Sequence, residues 1–402
     1  MAETRKASRF IVPVAVAGVA AATIGLVPAL AASGDPDLPE ITAQQLIEKI
    51  AASDTQTLSG TFKISTDLGL PALDGLASGL GGLDGGDGGS ASADPSEKLT
   101  ELFSGSHTLR VAADGPERQK LTLLDGSDEY SLVHNGDDVW AYDSRSNEAF
   151  HEKGASSGAP EKDEKLPGTP KELADEVLKA AGDTTSITVD GTAKVAGRDA
   201  YQLVIKPKQA GSMVESVKIA VDAANGTPLK FTLSSVEGGK PVVDAGFTKV
   251  DFGKPAASEF TFTPPKGAKV TEGGAEKGDE APEKVPGGLP EGFEDFGKDF
   301  PGLGGLGGFG DEGGEGGDMN VIGEGWTTIA RIDSGAPAPK TGEAPKEVQG
   351  FLDSFGDKVS GKFGSGTVFK TKLVNALLTD DGKVYVGAVT KDALVDAANA
   401  GK

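Results

Sequence analysis

Apolar and polar residues alternate along much of this chain, which is the pattern of β-strands with one buried face. In one clear example, Leu229, Phe231 and Leu233 are separated by polar residues. The phase of the alternation shifts near Val250, which indicates a β-bulge. The same period predicts strands at 58–66, 107–112, 118–124, 128–134, 138–142, 148–152, 201–205, 217–221, 229–234, 243–252 and 260–262.

Two helices are marked by their N-terminal capping residues. Thr42 and Gln45 have the spacing of a capping box, in which each side chain accepts a hydrogen bond from the backbone N–H of the other. Thr169 and Glu172 repeat that spacing, with Pro170 in the first helical turn. Apolar residues then recur at helical spacing, so each helix is predicted to bury one face.

The turns between strands are equally well marked. Asn135-Gly136 and Asn225-Gly226 each join two alternating runs, and this dipeptide is typical of tight hairpins. Many antiparallel strands with two or three helices predict a mainly β (α+β) fold. One face of the sheet is expected to meet a core or cavity, and the other face to meet water.

Residues 321–402 predict a small C-terminal α+β module. A strand is expected at 326–332, a hairpin from 369–378 and 383–389, and a short last helix capped by Thr390. An amphipathic helix is expected from five apolar residues near helical spacing, namely Val348, Phe351, Leu352, Phe355 and Val359.

Composition indicates where the domains end. The chain has 59 glycines, many of them in tracts. One tract forms a Gly-rich insertion at 68–95 within a main domain at 40–268. Another, at 269–320, is Gly-rich, acidic and poor in apolar residues, which predicts a disordered linker. The net charge of −22 disfavours nucleic acid as a partner, because like charges repel.

The N-terminus predicts export. A basic segment at 5–9 precedes a nearly continuous apolar run at 10–32, and residues 29–31 form an A-x-A cleavage pattern. Two alternatives fit this pattern: residues 1–31 are a cleaved signal peptide, or residues 10–32 remain as an anchor in the cytoplasmic membrane. Both place the rest of the chain outside the cytoplasm, as an extracellular or cell-surface protein.

The residues required for catalysis are not found in any recognisable arrangement. Cysteine is absent, which excludes disulfides and cysteine nucleophiles. The three histidines, His107, His134 and His151, lack metal-ligand spacing and are expected to be partly exposed strand residues. Residues 154–158 match G-x-S-x-G and 302–307 match G-x-G-x-x-G, but neither lies at a strand-to-helix junction. We therefore expect a protein that is not an enzyme and has no cofactor or metal.

Several segments carry a resemblance to a known family. They are 195–205 (VAGRDAYQLVI), 217–222 (VKIAVD), 226–229 (GTPL), 260–268 (FTFTPPKGA) and 375–384 (NALLTDDGKV). In these segments, and in its order of helices and strands, the chain resembles the LolA and RseB/MucB superfamily as it occurs in actinobacteria. The main resemblance covers residues 40–268.

This resemblance implies an unclosed β-barrel, a curved antiparallel sheet with helices in its mouth, whose concave face holds acyl chains. The implied partner is a lipid or an acylated lipoprotein. Apolar alternation then selects the residues expected to line the lipid-binding cavity: Phe62, Ile64, Trp140, Tyr142, Tyr201, Leu203, Ile205, Val217, Ile219, Leu229, Phe231 and Leu233. A closed core formed by the same residues remains an alternative.

Three functions are compatible with the sequence. The first is an extracytoplasmic lipid or lipoprotein-acyl carrier that works without catalysis. The second is a regulatory sensor, similar to RseB, that binds a membrane-bound anti-sigma factor or sensor partner. The third is a cell-surface module without a lipid ligand. The choice of residues does not separate the carrier from the sensor.

Overall fold

The computed structural model describes residues 36–69, 105–154, 170–273, 319–333 and 356–401. The predicted signal or anchor segment, most of the Gly-rich insertion and the middle of the acidic linker lie outside these ranges. So do the serine of the G-x-S-x-G match, the Thr169 cap and most of the predicted helix at 348–359. Within the described ranges, no helix is long and apolar enough to cross a bilayer.

The main domain combines one large sheet with two helices. The helices are α1 (Ala43–Ala51) and α2 (Pro170–Ala181). The strands are β1 (Thr57–Thr66), β2 (Gly105–Asp114), β3 (Arg118–Asp125), β4 (Asp128–Asn135), β5 (Asp138–Asp143), β6 (Glu148–Lys153), β7 (Thr185–Val195), β8 (Arg198–Pro207), β9 (Val214–Asp222), β10 (Pro228–Ser235), β11 (Val243–Asp251) and β12 (Lys269–Gly273).

The strands of this sheet follow the order β12-β6-β5-β4-β3-β2-β1-β11-β10-β9-β8-β7. All neighbouring pairs are antiparallel except β12 and β6, which run parallel. The sheet is curved and is not closed into a barrel, so β12 and β7 remain as its two edges. The predicted mainly β (α+β) class with an unclosed curved sheet is confirmed.

Helix α1 begins as its sequence predicts. The backbone N–H of Gln45 donates to Thr42 Oγ1 at 3.1 Å, and the N–H of Thr42 donates to Gln45 Oε1 at 2.8 Å. These two bonds satisfy N–H groups that a helix start otherwise leaves without partners. The helix then buries Leu46 and Ile47 against the sheet.

The bulge predicted from the phase shift in β11 is confirmed. Phe62 of β1 pairs with Phe247, whereas the preceding Thr61 pairs with Lys249, so Thr248 is the extra residue. An unpredicted irregularity separates the pairs made by Val189 and Thr192 in β7.

Two features of the main domain correct the sequence prediction. Residues 260–262 do not form a strand, because Ala257–Phe260 is a 3₁₀ turn that buries Phe260 at 1% exposure. Strand β7 was not predicted, since Asp190, Gly191 and Thr192 interrupt its apolar alternation. β7 forms a strand because its backbone pairs with β8, although its own sequence pattern does not predict one.

The C-terminal module is a second sheet with one helix. Its strands are β13 (Met319–Ile322), β14 (Ile329–Asp333), β15 (Gly356–Gly361), β16 (Gly364–Phe369), β17 (Asn375–Thr379) and β18 (Lys383–Gly387). They follow the order β13-β14-β18-β17-β16-β15, and helix α3 (Lys391–Ala400) packs against this sheet. Thr390 caps α3, as predicted, by accepting a hydrogen bond from the N–H of Ala393 at 3.4 Å.

Three predictions for the module are wrong in detail. The strand expected at 326–332 begins only at Ile329, because Gly325–Thr327 is a 3₁₀ turn. The strand expected at 369–378 is divided, since β16 ends at Phe369 and β17 begins at Asn375. Val359, expected in a helix, lies in β15 and pairs with Gly366. The turn between β17 and β18 is where the sequence predicts it.

The ordered structure extends into both ends of the predicted linker. Strand β12 occupies residues 269–273, where it pairs with β6, and β13 begins at Met319, where it pairs with β14. Pairing with a strand that is distant in sequence supplies the hydrogen bonds that local composition does not indicate.

Candidate functional site

Cross-strand pairing brings apolar residues of five neighbouring strands onto one face of the main sheet. Leu203 pairs with Ile219, Ile219 with Phe231, Phe231 with Ala245, and Ala245 with Ile64. Residues that lie directly opposite each other project to the same side of a sheet. This register therefore defines one surface, which we call the inner face.

Nine of the twelve residues predicted to line a cavity lie on the inner face. They are Phe62, Ile64, Tyr201, Leu203, Ile205, Val217, Ile219, Phe231 and Leu233. They come from β1, β8, β9 and β10, which are neighbours around β11 in the sheet although β1 is remote from the others in sequence.

Trp140 and Tyr142 lie instead on the opposite, outer face. Ala141, which stands between them, belongs to an inner-face cluster and is 1% exposed. Trp140 stacks on His151 with ring centroids 3.8 Å apart. The rings of Trp140 and Tyr142 both lie against Phe262, with centroid distances of 5.3 and 5.4 Å. The alternation in β5 identified two residues on a shared side, but that side is the outer one.

Leu229 is the third predicted residue that the structure separates from the inner face. The pairing of β10 with β9 shifts register between Pro228 and Lys230, which places Leu229 at the irregularity. Its side chain is 1% exposed and packs in a different cluster, with Ala200 and Ala220. The bulge reverses the side that simple alternation assigns to this residue.

The inner face continues across β2, β3 and β4, where the sequence prediction named no residue. Leu109 pairs with Phe62 and with Leu123, and Leu123 also pairs with Tyr130. These three unpredicted residues are buried and form a cluster with Ala141. The alternation of β3 and β4 contained this signal, because Leu121 and Leu123, like Tyr130 and Leu132, are two positions apart.

Two helices cover one part of the inner face. Leu46 of α1 and Ala174 of α2 are both 0% exposed and cluster with Tyr201 and Leu203. The Tyr201 hydroxyl donates a hydrogen bond to the carbonyl of Pro39 at 3.1 Å, which ties the segment before α1 to β8. This part of the face is therefore a packed core.

An open depression of about 600 Å³ lies beside α1. Ile41, Lys49, Lys171 and Tyr201 are among its lining residues. Lys171 pairs with Asp175 at 2.6 Å, so its charge is already neutralised locally. The depression is shallow and mixed in character, and it defines no particular ligand chemistry.

The C-terminal module covers another part of the inner face. Trp326 and Leu373 are 5% and 2% exposed and cluster with Val217, Leu233 and Val243 of the main sheet. Both side chains come from connections between strands of the module rather than from the strands themselves.

Polar contacts hold the module in this position. The Trp326 indole Nε1 donates to Thr185 Oγ1 at 2.7 Å, and its backbone N–H donates to Gln209 Oε1 at 2.9 Å. Lys372, next to Leu373, pairs with Asp67 at 2.6 Å. These bonds join the start of β7 and the segments that follow β1 and β8 to the module.

Acidification is expected to loosen the contact between Asp67 and Lys372. The hydrogen bond from Lys372 is the main reason that the pKa of Asp67 lies below its ordinary value of 3.8. Because the pKa of Asp67 is lowered, the ion pair stabilises the docked state fully at pH values above the ordinary carboxyl pKa. This stabilisation is lost as the pH falls through the lowered pKa. Trp326 emission, recorded in a Trp140→Phe chain, should be constant from pH 7 to 5 and change below about pH 4. A transition near pH 6 would contradict this assignment.

Five apolar residues on the inner face retain partial exposure. We call them the apolar strip: Phe62, Ile64, Ile205, Ile219 and Phe231. All five pack against the cluster that holds Trp326. Ile219 also contacts the cluster under the helices. Phe62 and Ile64 also contact the cluster that holds Leu109. The strip therefore links the three inner-face clusters. An apolar ligand that covered the strip would remove its remaining apolar surface from water.

His151 is more buried than the sequence predicts. Its side chain is not partly exposed on a strand: the residue is 6% exposed and lies between two carboxylates. Nδ1 is 2.8 Å from Glu272 Oε2, and Nε2 is 3.0 Å from Asp138 Oδ1. This arrangement joins edge strand β12 to β6 and β5 on the outer face, away from the apolar strip.

Within the described ranges, no group of three or more His, Asp or Glu side chains is placed to hold a metal ion. The surface that the structure assembles from predicted residues is apolar. A surface of this kind can bind an apolar ligand by burial, which requires shape and exposed hydrocarbon but no reactive group.

No family model matches this chain, and no curated protein matches it by sequence. Among solved structures, it is similar to the MucA/MucB complex of Pseudomonas aeruginosa, with 15% identity, a TM-score of 0.35, and coverage of 89% of this chain and 96% of that one. It is also similar to a LolA superfamily protein from Nitrosomonas europaea, with 11% identity, a TM-score of 0.21, and coverage of 56% and 99%. At these scores the likeness carries no functional argument.

Proposed function

We propose that the main domain is an extracytoplasmic binding protein for lipid or lipoprotein acyl chains, which it holds on the inner face without catalysis. The observation that carries this proposal is the apolar strip. Its five side chains lie together on one face of a curved sheet, and all remain partly exposed. Apolar side chains that are grouped on one face and remain accessible can be buried further by a ligand.

The energetics of acyl burial support this function. Each methylene removed from water contributes about 0.8 kcal/mol, so a chain of roughly sixteen carbons has a gross gain on the order of 10 kcal/mol. Part of this gain is offset by the loss of ligand freedom on binding. An apolar surface suits a ligand whose affinity comes mainly from its hydrocarbon.

The location proposed for this activity rests on the N-terminal sequence. The basic segment and the apolar run at 10–32 place the domain outside the cytoplasm whether the segment is cleaved or kept. There the domain would meet lipids and acylated lipoproteins at the membrane surface. Retention of 10–32 would keep it close to that source.

A fluorescent stearic-acid analogue tests the proposal directly. Wild-type protein is expected to bind it, and Ile64→Ser and Phe231→Ser are each expected to weaken binding about fivefold to tenfold, because several carbon atoms of contact are lost. Both positions are only partly buried, so the loss of stability should stay below about 2 kcal/mol. The measurements are probe titration and thermal unfolding of the same samples.

Neighbouring residues provide matched controls. Lys63→Ser changes an exposed residue beside Ile64, and Thr232→Ser makes a small change beside Phe231, on the outer side of the same strands. Neither should alter probe affinity. The proposal fails if neither wild-type protein nor Trp326→Ala binds the acyl probe, or if wild type binds it and the inner-face and control variants bind it equally well.

Native purification distinguishes the carrier from the sensor. We expect organic extraction of protein purified from its own host to yield a lipid in near-stoichiometric amount. A stoichiometric membrane-protein partner on lipid-free protein would instead support the regulatory sensor.

A further inference from the structure

The C-terminal module contributes two apolar side chains to the surface that we assign to the ligand. Trp326 and Leu373 cluster with inner-face residues of the main sheet. The module has a separate core of its own, made of Ile329, Phe363, Val368, Leu377, Tyr385, Val389, Leu394, Ala397 and Ala398. Its core therefore does not include Trp326 or Leu373, which cluster with residues of the main domain.

The docked module leaves no free surface at this part of the inner face. Val217 and Leu233 are each 1% exposed in the cluster that holds Trp326 and Leu373. The residues of the apolar strip pack against the same cluster. A ligand that extends along the strip must therefore meet the two side chains of the module.

Backbone hydrogen bonds also join the two units. One antiparallel bridge joins Ser212 to Val389. Its neighbouring hydrogen bonds run from Met213 N–H to Ala388 and from Thr390 N–H to Gly211, at 2.8 and 2.7 Å. Interfaces of this kind between domains of one chain permit relative movement.

We propose that the C-terminal module is an internal competitor for the inner face: docking of Trp326 and Leu373 and binding of an acyl chain exclude each other. This inference rests on the proposed function. Only the undocked fraction of the protein binds ligand with intrinsic affinity, so docking raises the apparent dissociation constant by the inverse of that fraction. By the same linkage, ligand binding shifts the module to the undocked state.

Variants of the full chain that weaken docking test the affinity side of this proposal. Trp326→Ala and Leu373→Ala should bind the fluorescent stearic-acid analogue at least about fivefold more tightly than wild type. Lys372→Ala removes the ion pair with Asp67 without opening space on the inner face, and it should also tighten binding, by about twofold to threefold. Val374→Ala, at an exposed neighbour, is the matched control and should leave affinity unchanged.

The position of Trp326 provides a second readout. The chain has two tryptophans, so Trp140→Phe leaves Trp326 as the single emitter. Saturation with palmitate, which is not fluorescent, should shift its emission to the red and increase its quenching by acrylamide, because undocking exposes the indole to water. This measurement uses the intact docking residues and does not depend on the folding of the alanine variants.

The outcomes separate the two proposals. Tighter binding by the docking variants, with exposure of Trp326 on ligand addition, supports competition. If those variants bind the probe and wild type does not, the docked module covers the binding surface completely, and this result also supports competition. Equal affinity in all chains, with Trp326 remaining buried, overturns the competition and leaves the lipid-binding function intact. Absence of binding in every variant overturns both.

Discussion

Replacing Asp222 with alanine is expected to lower the free energy of unfolding by about 3 kcal/mol, because it breaks an ion pair whose carboxylate is buried. Asp222 is 1% exposed. Its carboxylate accepts hydrogen bonds from the Arg198 guanidinium and from the backbone N–H groups of Ala224 and Asn225, the latter two at 2.8 and 3.0 Å. Alanine leaves all of these donors without their acceptor, and it also loosens the turn that follows β9.

The pH dependence of this effect has a defined sign. Burial alone would raise the pKa of Asp222, but the bonds from Arg198 and from Asn225 and Ala224 lower it more, so its pKa lies below 3.8. The pair therefore stabilises the fold fully at neutral pH and is lost as the pH falls through the folded pKa. The difference between wild type and Asp222→Ala should shrink below about pH 4.

Urea unfolding followed by circular dichroism measures both quantities. Asp222→Asn keeps an oxygen for the two backbone donors and should have an intermediate cost. Asp199→Ala is the control for a surface pair, because Asp199 and its partner Lys194 are both exposed, and it should change stability little. Equal midpoints for wild type and Asp222→Ala at pH 7 would refute the assignment.

The second large effect is expected at Gly226, in one of the two Asn-Gly turns. Its φ of 77° lies in the left-handed region, and a Cβ built there would overlap the carbonyl oxygen of Lys49 at the end of α1. Gly226→Ala should therefore cost about 3 kcal/mol, from backbone strain together with overpacking.

Gly136, in the other Asn-Gly turn, is the matched control. It has a similar φ of 64°, but a Cβ added there would meet no atom within 4 Å. Gly136→Ala should cost only about 1 kcal/mol, the backbone contribution. Thermal and urea unfolding of the two variants compare the same substitution in the same turn motif, so equal losses would show that the contact with α1 contributes nothing.

These two glycines show how far local chemistry determines the fold. The sequence predicts both turns, because Asn-Gly between two alternating runs is a strong turn signal and glycine adopts positive φ without a steric penalty. The start of α1 at Thr42 and Gln45 follows in the same way. Each of these features depends on residues within a few positions, so local sequence is sufficient. The residues near Gly226 in sequence do not predict that it also lies against helix α1.

The composition of the inner face was only partly predictable. Alternation identifies which residues of a strand share a side, and this was enough for Phe231 and Ile219. It does not identify which side is inner, so Trp140 was assigned to the wrong face. Leu229 was misplaced because a register shift depends on pairing with the neighbouring strand. In each case the deciding contact is with another strand or with a distant segment.

The sequence by itself determined most strands of the main sheet, the first helix cap, the tight turns and the antiparallel class, all through period and local hydrogen bonding. Only the tertiary structure decided where the Trp326 side chain is buried, since the local pattern assigned this residue to a strand. Its indole donates to Thr185, 141 positions earlier in the chain, and its ring is buried by strands of a different domain. Burial of a large side chain requires a surface of matching shape, and that surface exists only after remote strands have paired.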